Sequence, residues 1–217
     1  MSEFTTVLFD LDGTLIDTAP DMASSLNLLL IEEGKAELPY ATIRPVVSNG
    51  SAALVTLGFG DIEDPQRLDY LKQRYLEIYQ NHLCEHSGLF TGMDDLLTQI
   101  ESRGMNWGVV TNKPGWLTDP LMEQIGLTER AACIVSGDTT KNRKPHPEPM
   151  YHACLAAGSK AEQCIYVGDA RRDIEAGNNA GMKTILALYG YIGEWENTDD
   201  WGADVKIQHP MDIGKYL

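Results

Sequence analysis

The stretch Val7-Leu8-Phe9-Asp10-Leu11-Asp12-Gly13-Thr14 (VLFDLDGT, 7–14) places two carboxylates directly after an apolar run. The run around residues 4–10 reads as a buried β-strand, yet a buried charge without a partner costs several kcal/mol. Whatever occupies the end of this strand must therefore compensate Asp10 and Asp12. Other runs in the chain close in the same polar way. WGVVTNK (107–113) ends on Thr111, Asn112 and Lys113, and CIYVGD (164–169) ends on Asp169, with Asp173 four residues on. The basic loop KNRKPHPEP (141–149) follows a further strand candidate and carries Lys144.

From Gly92 onward, apolar runs alternate with helical patterns. Strand candidates are Trp107–Val110, Cys133–Val135, Cys164–Val167 and Thr184–Leu188, with helices near 93–103, 115–125, 148–157 and 172–180. This alternation predicts βαβ units and a doubly wound, mostly parallel α/β core. In such a sheet, ligands bind in the crevice outside the carboxyl ends of the strands. The polar ends of the runs would then converge on one edge. Residues 17–86 read differently. Met22, Leu26, Leu29 and Leu30 form one helical stripe, with Thr18 as its cap and Gly34 as its stop. Leu68, Leu71, Tyr75, Ile78 and Tyr79 form a second after Pro65. Pro45 and Ser48-Asn49-Gly50 interrupt the pattern between them. The predicted organisation is a core of residues 1–16 and 87–217 with a helical insert of residues 17–86.

The chain has 217 residues, 17 Lys and Arg against 32 Asp and Glu, and a net charge of −15. Such a surface argues against nucleic acid or an anionic membrane as a partner, since both require a basic footprint. A small anionic ligand remains compatible, because a bound cation and a few local bases invert the field of one cleft. The four cysteines form no C-x-x-C pair and read as reduced thiols. The start MSEFTT lacks the basic and apolar regions of a signal peptide, and no segment approaches the ~20 apolar residues of a membrane span. A cytoplasmic location is the expectation.

The polar groups suit phosphoryl transfer assisted by magnesium. Mg²⁺ takes oxygen ligands, which Asp10 and Asp169 could supply. A carboxylate can attack phosphorus to give an aspartyl-phosphate, and a second can protonate the leaving alkoxide and later activate water. Thr111, Asn112 and Lys144 are the candidate phosphate contacts. Each residue alone has an ordinary reading as a turn residue, a helix-terminal acid or a solvated lysine. Their occurrence together and in this order does not.

D-x-D-G-T at 10–14, Thr111, K-P-x-P at 144–147 and G-D-x-x-x-D at 168–173 resemble, in order, the four motifs of haloacid-dehalogenase-superfamily phosphatases. The resemblance spans essentially the whole chain, and the insert sits where that family carries its alpha-helical cap. It implies Asp10 as nucleophile, Asp12 as general acid/base, and Thr111 and Lys144 as phosphate ligands. It further implies Mg²⁺ held by Asp10, the Asp12 backbone carbonyl and Asp169, with Asp173 in support. Where many members carry a second polar residue after the first Asp of the last motif, this chain has Ala170. The whole-chain pattern resembles the phosphoglycolate phosphatase group. TIRPVVSNGSAAL (42–54), WGVVTNKP (107–114) and GYIGEWENTDDWGADVKIQHP (190–210) are also similar to bacterial N-acetylmuramic acid 6-phosphate phosphatases, which act in cell-wall sugar recycling.

The implied activity is a phosphomonoesterase acting on a small phosphorylated metabolite. The alternatives are a sugar phosphomutase of the β-phosphoglucomutase kind and a non-catalytic phosphate- or partner-binding module. Substrate choice falls to the insert, where Arg44, Ser48, Asn49 and Gly50 combine a cation, donors and a pliable backbone. HLCEH (82–86) fits H-x-x-E-H but has no third zinc ligand, so His82 and His86 are expected where the insert returns to the core. Neither a dinucleotide-binding fingerprint nor a phosphate-binding P-loop occurs. The tail with Trp195 and Trp201 is expected to cover a sheet edge.

Overall fold

The computed structural model describes residues 4–217. Its main sheet is built from β1 (Thr6–Phe9), β4 (Asn106–Val110), β5 (Ile134–Val135), β6 (Cys164–Gly168), β7 (Lys183–Ala187) and β8 (Val205–Ile207). The strand order is β5-β4-β1-β6-β7-β8, and every pairing is parallel. β1 is therefore central, with Phe9 opposite Val109 on one side and Val167 on the other. Because successive side chains alternate faces, Val7 and Phe9 join one apolar layer and Leu8 the other. Helices α5 (Met93–Ser102) and α6 (Gly115–Gln124) supply the first layer; α7 (Glu148–Ala156) and α8 (Arg171–Ala180) supply the second. Both faces are covered, which is why these strands read as near-continuous apolar runs.

The insert contains α1 (Ala19–Glu32), α2 (Tyr40–Ile43), a 3₁₀ turn (Arg44–Asn49), α3 (Gly50–Phe59) and α4 (Pro65–Asn81). Met22, Leu26, Leu29 and Leu30 of α1 are buried, as are Leu71, Tyr75, Ile78 and Tyr79 of α4. Their apolar cluster is continuous with the layer on the sheet. Gly34 has φ +71° just past α1, as a stop requires, and Asp64 caps α4 by accepting the Gln66 N–H.

Several local expectations need correction. Thr18 occupies the cap position of α1 but makes no capping bond, because its hydroxyl donates to Asp12 instead. A two-stranded ribbon went unread: β2 (Ile16–Asp17) pairs antiparallel with β3 (Gly88–Leu89), so the connections into and out of the insert run side by side. Two residues per strand leave no periodicity to detect. The tail does more than cover an edge, since its Val205–Ile207 becomes the edge strand itself. Strand β5 omits Cys133 and spans two residues.

Candidate active site

The chain leaves β1 at Asp10 and turns sharply. Gly13 takes φ +84°, and a Cβ there would lie 2.3 Å from Asp169 Oδ2, so only glycine admits the Asp169 carboxylate this close. Asp10 is buried; its Oδ1 accepts the Leu11 N–H at 2.8 Å and pairs with Lys144 Nζ at 2.8 Å. Lys144 has no exposed side-chain surface, and its ammonium also meets Asp173 Oδ1 at 2.7 Å, the Val110 carbonyl at 2.9 Å and the Tyr166 hydroxyl at 2.9 Å. A lysine buried this deeply is tolerable because carboxylates on two sides compensate it.

Asp169 and Asp173 complete a buried acidic group. Asp10, Asp169 and Asp173 each offer an oxygen within 4.8 Å of the others. Asp169 Oδ1 accepts the Thr14 hydroxyl at 3.2 Å; its Oδ2 accepts the Tyr191 N–H and the Ser48 hydroxyl, each at 2.9 Å. Burial, followed by repulsion from Asp10 and Asp173, pushes the Asp169 carboxyl up to about 7. Asp173 is likewise raised, by burial and by Asp10, against the opposing pull of Lys144 and Arg172. Its Oδ2 accepts the Ala170 N–H at 2.9 Å at the start of α8, where a carboxylate also meets the helix dipole.

Asp12 stands apart from this acidic group. Its Oδ1 accepts the Thr18 hydroxyl at 2.7 Å and the Lys113 ammonium at 2.9 Å. Thr111 is buried at the end of β4, and its hydroxyl accepts the Lys113 N–H at 3.1 Å. The Asn112 side chain exchanges two hydrogen bonds with the Lys144 backbone, at 3.0 and 3.1 Å. Asn112 thus holds the basic loop in place.

A cavity of about 470 Å³ opens on Asp10, Asp12, Thr111, Asn112 and Lys113. The insert lines its other side with Met22, Val47, Ser48, Asn49, Gly50, Tyr75 and Tyr79. A second cavity of about 340 Å³ lies on the Asp169 side of the Ser48-Asn49 turn. The insert residues expected at the site divide. Ser48, Asn49 and Gly50 reach it, Ser48 through Asp169 itself. Arg44 lines neither cavity; its guanidinium donates to the Gly190 and Tyr189 carbonyls at 3.0 and 3.1 Å and lies over the Tyr191 ring. Its charge ties the insert to the core, whereas the sequence reading set it among the residues facing substrate. HLCEH lies past the end of α4, where His82 pairs with Glu85 and His86 meets Asp21. Sequence reasoning missed Lys113, Tyr79 and Arg172 as lining residues. Only Lys113 carried a signal, as part of the polar end of β4.

Residues 7–187 match the family model described as haloacid dehalogenase-like hydrolase. The chain is 42% identical over 211 residues to an N-acetylmuramic acid 6-phosphate phosphatase of Pseudomonas putida, covering 97% of this chain and 95% of that one. It is also 42% identical over 207 residues to a phosphoglycolate phosphatase of Xanthomonas campestris pv. campestris, covering 95% and 93% respectively. A crystal structure of a predicted phosphoglycolate phosphatase from Haemophilus somnus 129pt superposes with a TM-score of 0.87 at 27% identity, over 99% of this chain and 98% of that one. Family model, relatives and parallel sheet agree: the chain is an enzyme and belongs to the haloacid dehalogenase-like hydrolases.

Proposed function

We propose that the chain hydrolyses a small phosphomonoester through an aspartyl-phosphate on Asp10. The observation that carries this reading is the pairing of buried Asp10 with Lys144 at the end of the central strand, beside Asp169 and Asp173 and at the floor of an insert-lined cavity. Asp10 Oδ1 is held by the Leu11 N–H and Lys144, which leaves Oδ2 to attack phosphorus in line with the leaving oxygen. Asp12 donates its proton to that oxygen as the ester bond breaks, then takes a proton from the water that cleaves the acyl phosphate. Lys144 and Thr111 stabilise the phosphoryl oxygens as charge moves onto them.

The three clustered carboxylates fit a hard divalent cation. They offer oxygens only, and burial, followed by repulsion from Asp10 and Asp173, raises Asp169 well above the usual carboxylate range, a cost that a cation would relieve. Asp10 and Asp169, the Asp12 carbonyl and, in support, Asp173 are the proposed holders of Mg²⁺. When bound there, Mg²⁺ supplies charge neutralisation between Asp10 and the incoming phosphoryl group.

Two named relatives point to different substrates, and the cavity favours the larger. A space of about 470 Å³ walled by Met22, Val47, Tyr75, Leu76, Tyr79 and Leu117 exceeds what a two-carbon phospho-acid fills. An amino-sugar phosphate such as N-acetylmuramic acid 6-phosphate could set its ring and acyl arms against that wall, so we place it ahead of 2-phosphoglycolate. Phosphate release should be measured across both compounds and hexose phosphates, with Asp10→Asn as control. The expected result is preference for the amino sugar and at least a ~10³-fold loss in Asp10→Asn. Turnover retained in Asp10→Asn would exclude the covalent path. Isomerisation of β-glucose 1-phosphate without phosphate release would mean a mutase, and no turnover of any ester a binding module.

A further inference from the structure

The reading above leaves Lys113 without a task. Its side chain is 5% exposed, and its ammonium lies 2.9 Å from Asp12 Oδ1 and 2.9 Å from the Tyr79 hydroxyl of α4. The same Asp12 oxygen accepts the Thr18 hydroxyl at 2.7 Å. Two donors therefore converge on Oδ1, while no protein donor among the described residues reaches Oδ2. Asp12 itself lines the cavity beside Asp10. The two lysines at this edge divide the aspartates between them: Lys144 pairs with Asp10 and Asp173, and Lys113 with Asp12.

A carboxyl group that protonates a leaving oxygen must present one oxygen in hydrogen-bond reach of it, in a fixed rotamer. Occupying Oδ1 with a buried ammonium and a hydroxyl meets that need, because Oδ2 then remains to carry the proton and face the substrate. Tyr79 belongs to the insert, Thr18 to its first connection and Lys113 to the core. The grip on Asp12 is thus completed only with the insert seated. We propose that Lys113 is the positioning residue for Asp12, and that Tyr79 transmits the seating of the insert to it. This inference rests on the phosphatase reading and adds to it a residue outside the four motifs. The competing role for a buried lysine beside Thr111 is direct binding of the phosphoryl group.

The two roles separate by leaving group. p-Nitrophenolate departs without a proton, whereas an alkoxide needs one, and kcat/KM reports only the steps through the first P–O cleavage. Wild type, Lys113→Met and Tyr79→Phe should be compared on p-nitrophenyl phosphate and on glucose 6-phosphate or the best alkyl ester of the panel. Lys113→Met should lose about 10²–10³-fold on the alkyl ester and less than about fivefold on the aryl ester. Tyr79→Phe, which removes one hydroxyl and keeps the ring, should show the same asymmetry at roughly three- to tenfold. Equal losses on both esters would overturn the proposal in favour of phosphate binding, and no loss on either would remove Lys113 from the reaction. Should Lys113→Met fail to fold, as judged by circular dichroism, the asymmetry in Tyr79→Phe decides alone. A wild type that releases phosphate from neither ester would instead refute the phosphatase reading, and this inference with it.

Discussion

Asp169 shows how a single residue stores the tension of the site. Its carboxyl is raised from 3.8 to about 7 by burial first and by Asp10 and Asp173 second. An acid raised on folding makes the native state bind a proton that the unfolded chain releases. Its contribution to stability is thus fullest below pH about 4 and is lost as pH rises towards 7. In metal-free protein, the stability difference between wild type and Asp169→Asn should move against wild type across that window, measured by urea unfolding at several pH values. A difference independent of pH would contradict the assignment. At this scale, the short fixed spacings of the motifs made legible the gathering of Asp10, Asp12, Lys144 and Asp169 at one edge of the sheet. The partners of Ser48 and Tyr79 were not, since they lie 121 residues away at Asp169 and 34 away at Lys113.

The helical insert is tied to the core by elements too short to read. Asp21 of α1 is buried and accepts the backbone N–H groups of His86 and Ser87 and the Ser87 hydroxyl at 2.6 Å, bracing the returning chain against the departing helix. Asp21→Ala would strand those donors, and a loss of about 2–4 kcal/mol in global stability is expected from chemical denaturation. A change below about 0.5 kcal/mol, the range of ordinary surface substitutions, would show that the brace is dispensable. The long helices were visible because each spreads an apolar stripe over several turns. The ribbon of β2 and β3 and the edge strand β8 were not, as two or three residues carry no period and gain their structure from pairing.

For the whole molecule, the proposed cation couples the site to stability. A ligand that binds only the folded state adds about 2.7 kcal/mol at a hundred times its dissociation constant. Mg²⁺ should therefore raise the melting temperature of EDTA-treated wild type and leave Asp169→Asn nearly unmoved, as followed by calorimetry; equal shifts in both proteins would dissociate the cation from this cluster. The apolar layer that runs from the sheet into the insert lets such a local gain be felt throughout. Order along the chain determined the parallel α/β core, the place of the insert and the acids at the strand ends, because hydrophobic periodicity and motif spacing are local properties. Tertiary structure alone decided that Arg44 clamps the Tyr189–Gly190 carbonyls, that Ser48 reaches Asp169, and that the two carboxylates of VLFDLDGT answer to different lysines. Those pairings depend on which strands lie side by side and how the insert folds back, and no short stretch of sequence encodes either.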